Sequence, residues 1–433
     1  MRKNKVDIIT LGCSKNLVDS EQLLRQFQLN GYQVTHDPDK INGEIVVVNT
    51  CAFIGDAQEE SINLILDLEE EKKKGRIGQL YVMGCLSERF LKDLQTELPF
   101  VDKFYGKFNW PELITDIGKA YYPEYSTDRV LTTPSHYAYL KISEGCNRTC
   151  AYCSIPIITG KHRSRPIEDL IAETQKLVNK GVKEFQLIAQ DLTFYGLDLY
   201  RDNKLPELVE RLADIKGVEW LRLHYGYPSH FPFDLLRVMH ERENVCRYID
   251  IALQHISDPM LQKMRRNTTK QETVELIQRL REEVPGIHLR TTLMVGFPGE
   301  TEQDFEELIR FVKETRFERL GAFAYSHETG TYAHKHYEDN IDDDTKQTRL
   351  DYLMRIQEKI AQESNEAKVG NIFKTIIDRE EGDYYIGRTE FDSPEVDPEV
   401  LIKRNRTLNV GEFYNVEIQS AEAFEVYGSV RSI

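Results

Sequence analysis

The chain has 433 residues, enough for two or three domains, and 40% of them are apolar, enough for a packed core in each. No apolar run approaches the roughly 20 residues a bilayer span needs, and Met1-Arg2-Lys3-Asn4-Lys5 leads into only a short strand-like run, so secretion and membrane insertion are disfavoured and a cytoplasmic location is expected. A net charge of −16 repels phosphate backbones at long range and favours a basic partner over a nucleic acid.

In chain order, the first segment alternates strand-like and amphipathic runs: Val6–Leu11, Leu17–Asn30, Glu44–Asn49, Asp56–Lys74, Leu80–Gly84 and Glu88–Leu94. That rhythm predicts a parallel βαβ domain. The pattern weakens over Trp110–Pro134, a candidate linker. A second alternation follows, with strands expected at Tyr137–Ser143, Glu184–Ala189, Glu219–His224, Tyr248–Leu253, Ile287–Val295 and Arg319–Tyr325. Helical stretches such as Pro166–Asn179, Leu205–Ile215, Lys270–Glu283 and Glu302–Thr315 separate them. Six β/α units predict a partial, TIM-like (β/α)6 barrel with its site at the carboxyl ends of the strands. Asp342–Lys368 reads as one long polar helix. Beyond it the runs Asn371–Ile377, Tyr384–Arg388, Glu412–Gln419 and Val426–Ser429, set off by turn residues, predict a small five-stranded β-barrel of OB-related type. The expected domains are 1–125, 132–365 and 366–433, an α/β chain with an all-β end.

Seven cysteines without a signal segment argue for reduced thiols used as ligands or nucleophiles. Cys146, Cys150 and Cys153 form a C-x3-C-x2-C cluster directly after the first expected barrel strand. Thiolates suit soft metals and iron–sulfur clusters, and this spacing lets one loop supply three ligands. A four-iron cluster so held keeps one iron open to a small molecule. The other reading is a zinc site that borrows a distant fourth ligand. Cys13, Cys51 and Cys85 are scattered, yet each follows an expected strand at once. Carboxyl ends of parallel strands share one edge, so these three can converge on a second centre; the alternative is three small buried residues at strand ends. Cys246 has no such context and reads as a core thiol.

The Cys146–Cys153 spacing resembles that of the radical S-adenosylmethionine (SAM) superfamily, with Tyr152 at its aromatic position. The chain as a whole resembles the methylthiotransferase family in Asn49-Thr50-Cys51-Ala52-Phe53-Ile54, Gly84-Cys85-Leu86-Ser87-Glu88-Arg89, Leu253-Gln254-His255-Ile256-Ser257-Asp258, Arg290 to Thr301 and Tyr325-Ser326. Leu11-Gly12-Cys13-Ser14-Lys15-Asn16-Leu17-Val18-Asp19-Ser20-Glu21 is similar to the branch that modifies protein S-twelve of the small ribosomal subunit. Ser14 and Thr159 depart from the family's usual proline and arginine. The resemblance implies a radical SAM barrel, a TRAM-like terminal barrel and two 4Fe-4S clusters, one splitting SAM and the other supplying sulfur. It also implies an external electron donor and a methylthio group placed on the β-carbon of an aspartate. A tRNA adenosine is the rival substrate, and a non-catalytic metal-bearing module that binds the ribosome or RNA is the rival class.

Tyr152, Gln190, His224 and Gly296 lie at the expected barrel mouth and are candidate cofactor contacts; satisfied polar groups and a purely structural turn are the alternatives. No catalytic acid or base is assigned. The basic run Lys161-His162-Arg163-Ser164-Arg165 could steer an acidic group, or be a surface loop. Glu390-Phe391-Asp392-Ser393-Pro394-Glu395-Val396-Asp397 could meet a basic ribosomal protein, or be a solvated loop.

Overall fold

The computed structural model describes residues 2–431. The chain forms two compact units, the first comprising residues up to Thr133 with Tyr139–Arg148 and Cys153–Lys176, the second Pro134–Ala138, Thr149–Tyr152 and the chain from Leu177 onward.

The first unit is built on a five-stranded sheet of β1 (Arg2–Thr10), β2 (Gln33–His36), β3 (Gly43–Thr50), β4 (Gln79–Gly84) and β5 (Lys103–Phe104), in the order β2-β1-β3-β4-β5. Every pairing is parallel. The central strand β3 carries Ile45 to Val48, all buried, as expected where helices cover both faces. Helices α1 (Ser14–Leu29), α2 (Gly55–Lys73) and α3 (Cys85–Glu97) supply that cover. One face packs Leu23, Leu24 and Phe27 of α1, and the other Ile65 and Leu68 of α2 with Leu86 and Leu94 of α3. A short hairpin of β7 (Ser143–Glu144) and β8 (Arg163–Ser164) also belongs here.

The stretch Trp110–Pro134 is no free linker. A helix (Pro111–Asp116) and a 3-10 turn (Pro123–Tyr125) interrupt it. Gln26 of α1 clasps it through Tyr122 N and O, both at 2.9 Å, and fully buried Arg129 pairs with Glu21 (2.5 Å) and Glu173 (2.9 Å). Polar hooks and the buried side chains of Trp110, Leu113 and Ile114 fasten this segment, whose elements are too short for apolar periodicity to find.

A six-stranded sheet of order β13-β12-β11-β10-β9-β6 comprises β6 (Tyr137–Lys141), β9 (Glu184–Ile188), β10 (Trp220–Gly226), β11 (Val245–Ile251), β12 (His288–Val295) and β13 (Arg319–Ala324). The pairs from β9 to β13 are parallel, and helices return the chain between them, giving the six β/α repeats of the expected partial barrel. Two of those helices open on reciprocal capping boxes, Thr269 with Glu272 and Thr301 with Asp304, which satisfy donors that a helix start leaves unpaired. The long helix runs over Asp343–Glu366.

The chain ends in a closed barrel, β14 (Ile372–Glu381), β15 (Tyr384–Thr389), β16 (Glu399–Lys403), β17 (Phe413–Ala421) and β18 (Glu425–Val430), ordered β14-β15-β16-β18-β17. Val400, Ile402, Val416, Ile418 and Val426 fill it. A buried charge cluster joins this barrel to the parallel sheet. Glu184 of β9 receives Arg222 (3.1 Å) and Arg388 (2.7 Å), and Arg388 also reaches Asp378 (2.6 Å), which accepts His136 at 2.7 Å.

Burial pushes the Asp378 carboxyl up, but Arg388 and His136 overcome it and hold the group at about 2. Its folded value lies below the roughly 3.9 of an unfolded aspartate, so its stabilisation is complete above that value and disappears as pH falls towards 2. Urea midpoints recorded between pH 5 and pH 2 should fall steeply, and Asp378→Asn should flatten the slope. Identical slopes in the two proteins would refute this assignment.

Candidate functional site

Adjacent parallel strands in register bring the scattered thiols to one edge. Thr10 lies opposite Asn49, Asn49 opposite Met83 and Thr50 opposite Gly84, so β1, β3 and β4 end together. Cys13 caps the start of α1, Cys51 follows β3 and Cys85 opens α3. Helix amino ends carry partial positive charge, which favours thiolate over thiol. Gly12 has φ +90°, and a Cβ there would lie 2.7 Å from Cys51 Cβ and 2.9 Å from its sulfur, so only glycine lets these two loops touch.

Cys13 is exposed, Cys51 buried and Cys85 between the two. Burial pushes the Cys85 thiol up to about 12, with Lys107 opposing and Cys13 and Cys51 adding to the rise. Cys51 is raised too, by burial and then by Cys13. Cys51 and Cys85 therefore stay protonated until a cation replaces the protons. Among the described residues no three His, Cys, Asp or Glu side chains are already drawn into a closed metal-ligand set, so the thiols share the edge as separate side chains. Three soft donors gathered on one sheet edge, two of them at helix starts, are a donor set that suits an iron–sulfur cluster.

The consecutive cysteines occupy one eight-residue segment. In the first unit, Gly145 (φ +81°) passes so close to Lys161 that a Cβ would sit 2.1 Å from its carbonyl oxygen, and Cys146 N donates to Gly160 O at 3.1 Å. The β7–β8 hairpin thus pins Cys146. The basic run does structural work here: Arg165 pairs with Glu173 (2.6 Å), His162 is buried with its Nε2 3.0 Å from Ser164 Oγ, and Arg163 lies over the Phe108 ring.

In the second unit, buried Cys150 has its sulfur 3.2 Å from Arg266 Nη1 and 3.6 Å from Tyr227 Oη. The same Arg266 nitrogen donates to Tyr152 Oη (3.0 Å), and Tyr227 Oη donates to Arg266 O (2.5 Å). Burial alone would discourage the guanidinium charge, but Tyr152 and Cys150 hold the pKa of Arg266 above its ordinary value. Sequence reasoning missed Arg266. It sits in an unremarkable Met264-Arg265-Arg266-Asn267 turn, and only folding brings it to Cys150.

The Tyr152 ring meets Phe297 edge to face, and Phe297 meets Tyr325. Gln190 and Gly296 lie just past the carboxyl ends of β9 and β12, whereas His224 lies inside β10, two residues before its end. His224 Nε2 is 2.7 Å from Gln186 Oε1, in a buried chain that continues to Glu184. Asp191 caps a 3-10 turn through Thr193. Gly296 (φ +74°) donates its N–H to Glu300 (2.6 Å), and a Cβ there would meet Lys346 Cγ at 2.3 Å. The long helix approaches where that Cβ would stand, which is a packing reason for glycine. Cys246 is fully buried against Trp220, Tyr248 and Ile376, a core thiol.

The acidic stretch contradicts the docking expectation. Asp392 and Asp397 are buried on Arg319 (2.5 Å) and Arg290, and Glu390 pairs with Arg247 at 2.7 Å. These three carboxylates fasten the barrel loop to β11, β12 and β13 and are not offered to a partner; Glu395 is exposed and accepts from Tyr137 Oη at 3.2 Å.

Comparison with known proteins places these features. Residues 140–312 match the radical SAM superfamily, 5–106 an uncharacterized protein family (UPF0004) and 369–430 the TRAM domain. The ribosomal protein uS12 methylthiotransferase RimO of Parabacteroides distasonis is 72% identical, covering 99% of this chain and 100% of that protein. The chain belongs to the RimO methylthiotransferase family. RimO of Phocaeicola vulgatus is 66% identical over the same shares. The radical SAM methyltransferase TsrM from Kitasatospora setae, with cobalamin and a [4Fe-4S] cluster bound, shares the fold at a TM-score of 0.55 and 14% identity, covering 75% of each chain. Like its family, this RimO relative is a radical SAM methylthiotransferase that works with SAM and iron–sulfur chemistry.

Proposed function

We propose that the chain adds a methylthio group to the β-carbon of an aspartate in ribosomal protein uS12. Cys146, Cys150 and Cys153 hold a 4Fe-4S cluster, and Cys13, Cys51 and Cys85 hold a second. When bound, the first cluster with SAM supplies a 5′-deoxyadenosyl radical and the second supplies the sulfur. The observation that carries this reading is the register that brings three separate thiols to one sheet edge in a chain with full-length RimO relatives.

The protein's own groups orient these reactants. Arg266 fixes Cys150 and Tyr152 relative to each other with one nitrogen. Phe297 braces the Tyr152 ring from the turn after β12, and the apolar packing of Phe297, Tyr325 and Ala151 excludes water. Tyr152, Gln190, His224 and Gly296 remain the proposed SAM-facing positions. The working division is 1–125 for the sulfur-supplying domain, 132–365 for the radical SAM domain and 366–433 for the TRAM-like barrel. An external donor provides electrons, and the cytoplasm is the proposed location; no helix among the described residues is long and apolar enough to cross a membrane.

The test is the intact mass of uS12, alone and within the small subunit, after incubation with anaerobically reconstituted enzyme, SAM and reductant. Gain of one methylthio group on an aspartate peptide is expected. Methylthio-adenosine in tRNA with an unchanged uS12 mass would overturn the substrate assignment, and zinc without sulfide in the reconstituted chain would overturn the chemistry.

A further inference from the structure

The three cysteine-bearing loops of the first unit meet at one amide. Asn16, in the first turn of α1 and 1% exposed, donates its Nδ2 to Leu11 O and to Thr50 O, each at 3.0 Å. Its Oδ1 accepts from Cys85 Sγ (3.7 Å) and from Lys107 Nζ (2.9 Å). Leu11 stands two residues before Cys13, Thr50 immediately before Cys51, and Cys85 is itself one of the thiols. One side chain therefore touches all three exits.

A carboxamide alone can make this set of bonds, with two N–H donors and an oxygen of two lone pairs; aspartate has no donor to offer and leucine neither kind of group. The backbone adds to it, since Asn49 Nδ2 donates to Asn16 O at 2.8 Å. Behind the amide, Lys107 is 3% exposed, and its ammonium also reaches Asp19 Oδ2 at 2.5 Å. The other oxygen of Asp19 takes Lys141, which pairs with Glu144 at 2.8 Å. Asp19 justifies the burial of the ammonium, and Asn16 holds it on the sulfur side. An ammonium carries three donors, and these two bonds use two of them. Three thiolates concentrate negative charge where the local dielectric is low and a fixed cation acts strongly.

We propose that Asn16 is the positioning residue of the three-thiol centre in the first unit and that Lys107 is its built-in counter-charge. The inference rests on the reading that Cys13, Cys51 and Cys85 hold a cluster. Asn16 keeps the Cys13 and Cys51 loops at one spacing through Leu11 O and Thr50 O, its bond from Cys85 lasting until a cation displaces the thiol proton, and Lys107 favours the more reduced, more negative state of whatever the sulfurs bind.

The experiment uses the full chain carrying Cys146→Ala, Cys150→Ala and Cys153→Ala, so that only the first-unit thiols are available. Iron and sulfide content, the rate of iron loss to a chelator and the midpoint potential are measured for Asn16→Ala, Asn16→Asp, Lys107→Met and Lys107→Arg, each checked for folding by circular dichroism. Both Asn16 variants should lose iron about 10- to 100-fold faster, the usual effect of removing an outer partner of a metal ligand. Lys107→Met should shift the reduced-to-oxidised ratio at fixed potential about tenfold towards oxidised, which is about 59 mV for one electron. Lys107→Arg should restore it. Unchanged iron loss in folded Asn16→Ala, or an unchanged potential in Lys107→Met, overturns the proposal; if Asn16→Ala does not fold, the Lys107 pair decides. A background chain that binds no iron and sulfide with Asn16 and Lys107 intact rejects the cluster reading instead.

Discussion

Cys150→Ala should abolish formation of 5′-deoxyadenosine from SAM, whereas Cys51→Ala should leave that cleavage within a few-fold of the unaltered chain and eliminate the methylthio product on uS12. The contrast follows from position. Cys150 belongs to the consecutive set, buried against Arg266 and Tyr227, and its loss removes a proposed ligand and leaves the guanidinium without its sulfur partner. The fall should exceed the roughly 10- to 100-fold expected when only an outer partner of a ligand is removed. Cys51 stands at the edge of a different sheet, after β3, and helps to hold a different group. Cys150→Ser keeps the polar contact to Arg266 and separates lost ligation from lost packing. Liquid chromatography of SAM products and the mass of uS12 read the two steps independently. Equal loss of both in well-folded Cys150→Ala and Cys51→Ala would remove the division of labour.

The second large effect concerns stability. Arg388→Met should lower unfolding free energy by about 3–5 kcal/mol, the usual cost of removing one member of a buried ion group and leaving the rest uncompensated. Arg388 is 1% exposed and satisfies both Glu184 and Asp378; without it two carboxylates face only Arg222 and His136. Replacing Glu184, Asp378, Arg222 and Arg388 together by apolar residues of similar volume should recover much of the loss, because the desolvation penalty disappears with the charges. Urea unfolding measures both. A loss under about 1 kcal/mol in Arg388→Met would mean that the cluster is hydrated as a surface ion pair is.

The three-part fold was legible because its main strands are continuous apolar runs and its helices are amphipathic. The elements missed are short or polar. Gln33–His36 and Lys103–Phe104 are edge strands recruited by neighbours already in place, and Glu399–Lys403 is hidden behind the acidic loop that precedes it. That Cys13, Cys51 and Cys85 share one sheet edge could be read from the chain by following strands. The roles of Arg266, Asn16 and Lys107 could not, since each depends on partners that only folding brings near, up to 116 residues away. The acidic run at Glu390–Asp397 misled for a related reason: counting charges says nothing about which arginines turn to face them.

The ionic joint between β9 and the terminal barrel bears on how such proteins can diversify. Glu184 and Arg222 pair on the catalytic side of the joint, Asp378 and Arg388 pair on the barrel side, and Arg388 crosses to Glu184 while His136 crosses to Asp378. A barrel transplanted from an unrelated protein would leave buried Glu184 with Arg222 alone, without the second cation that Arg388 supplies here. Swapping this module therefore demands matched changes on both sides, and the two pieces are obliged to evolve as a couple.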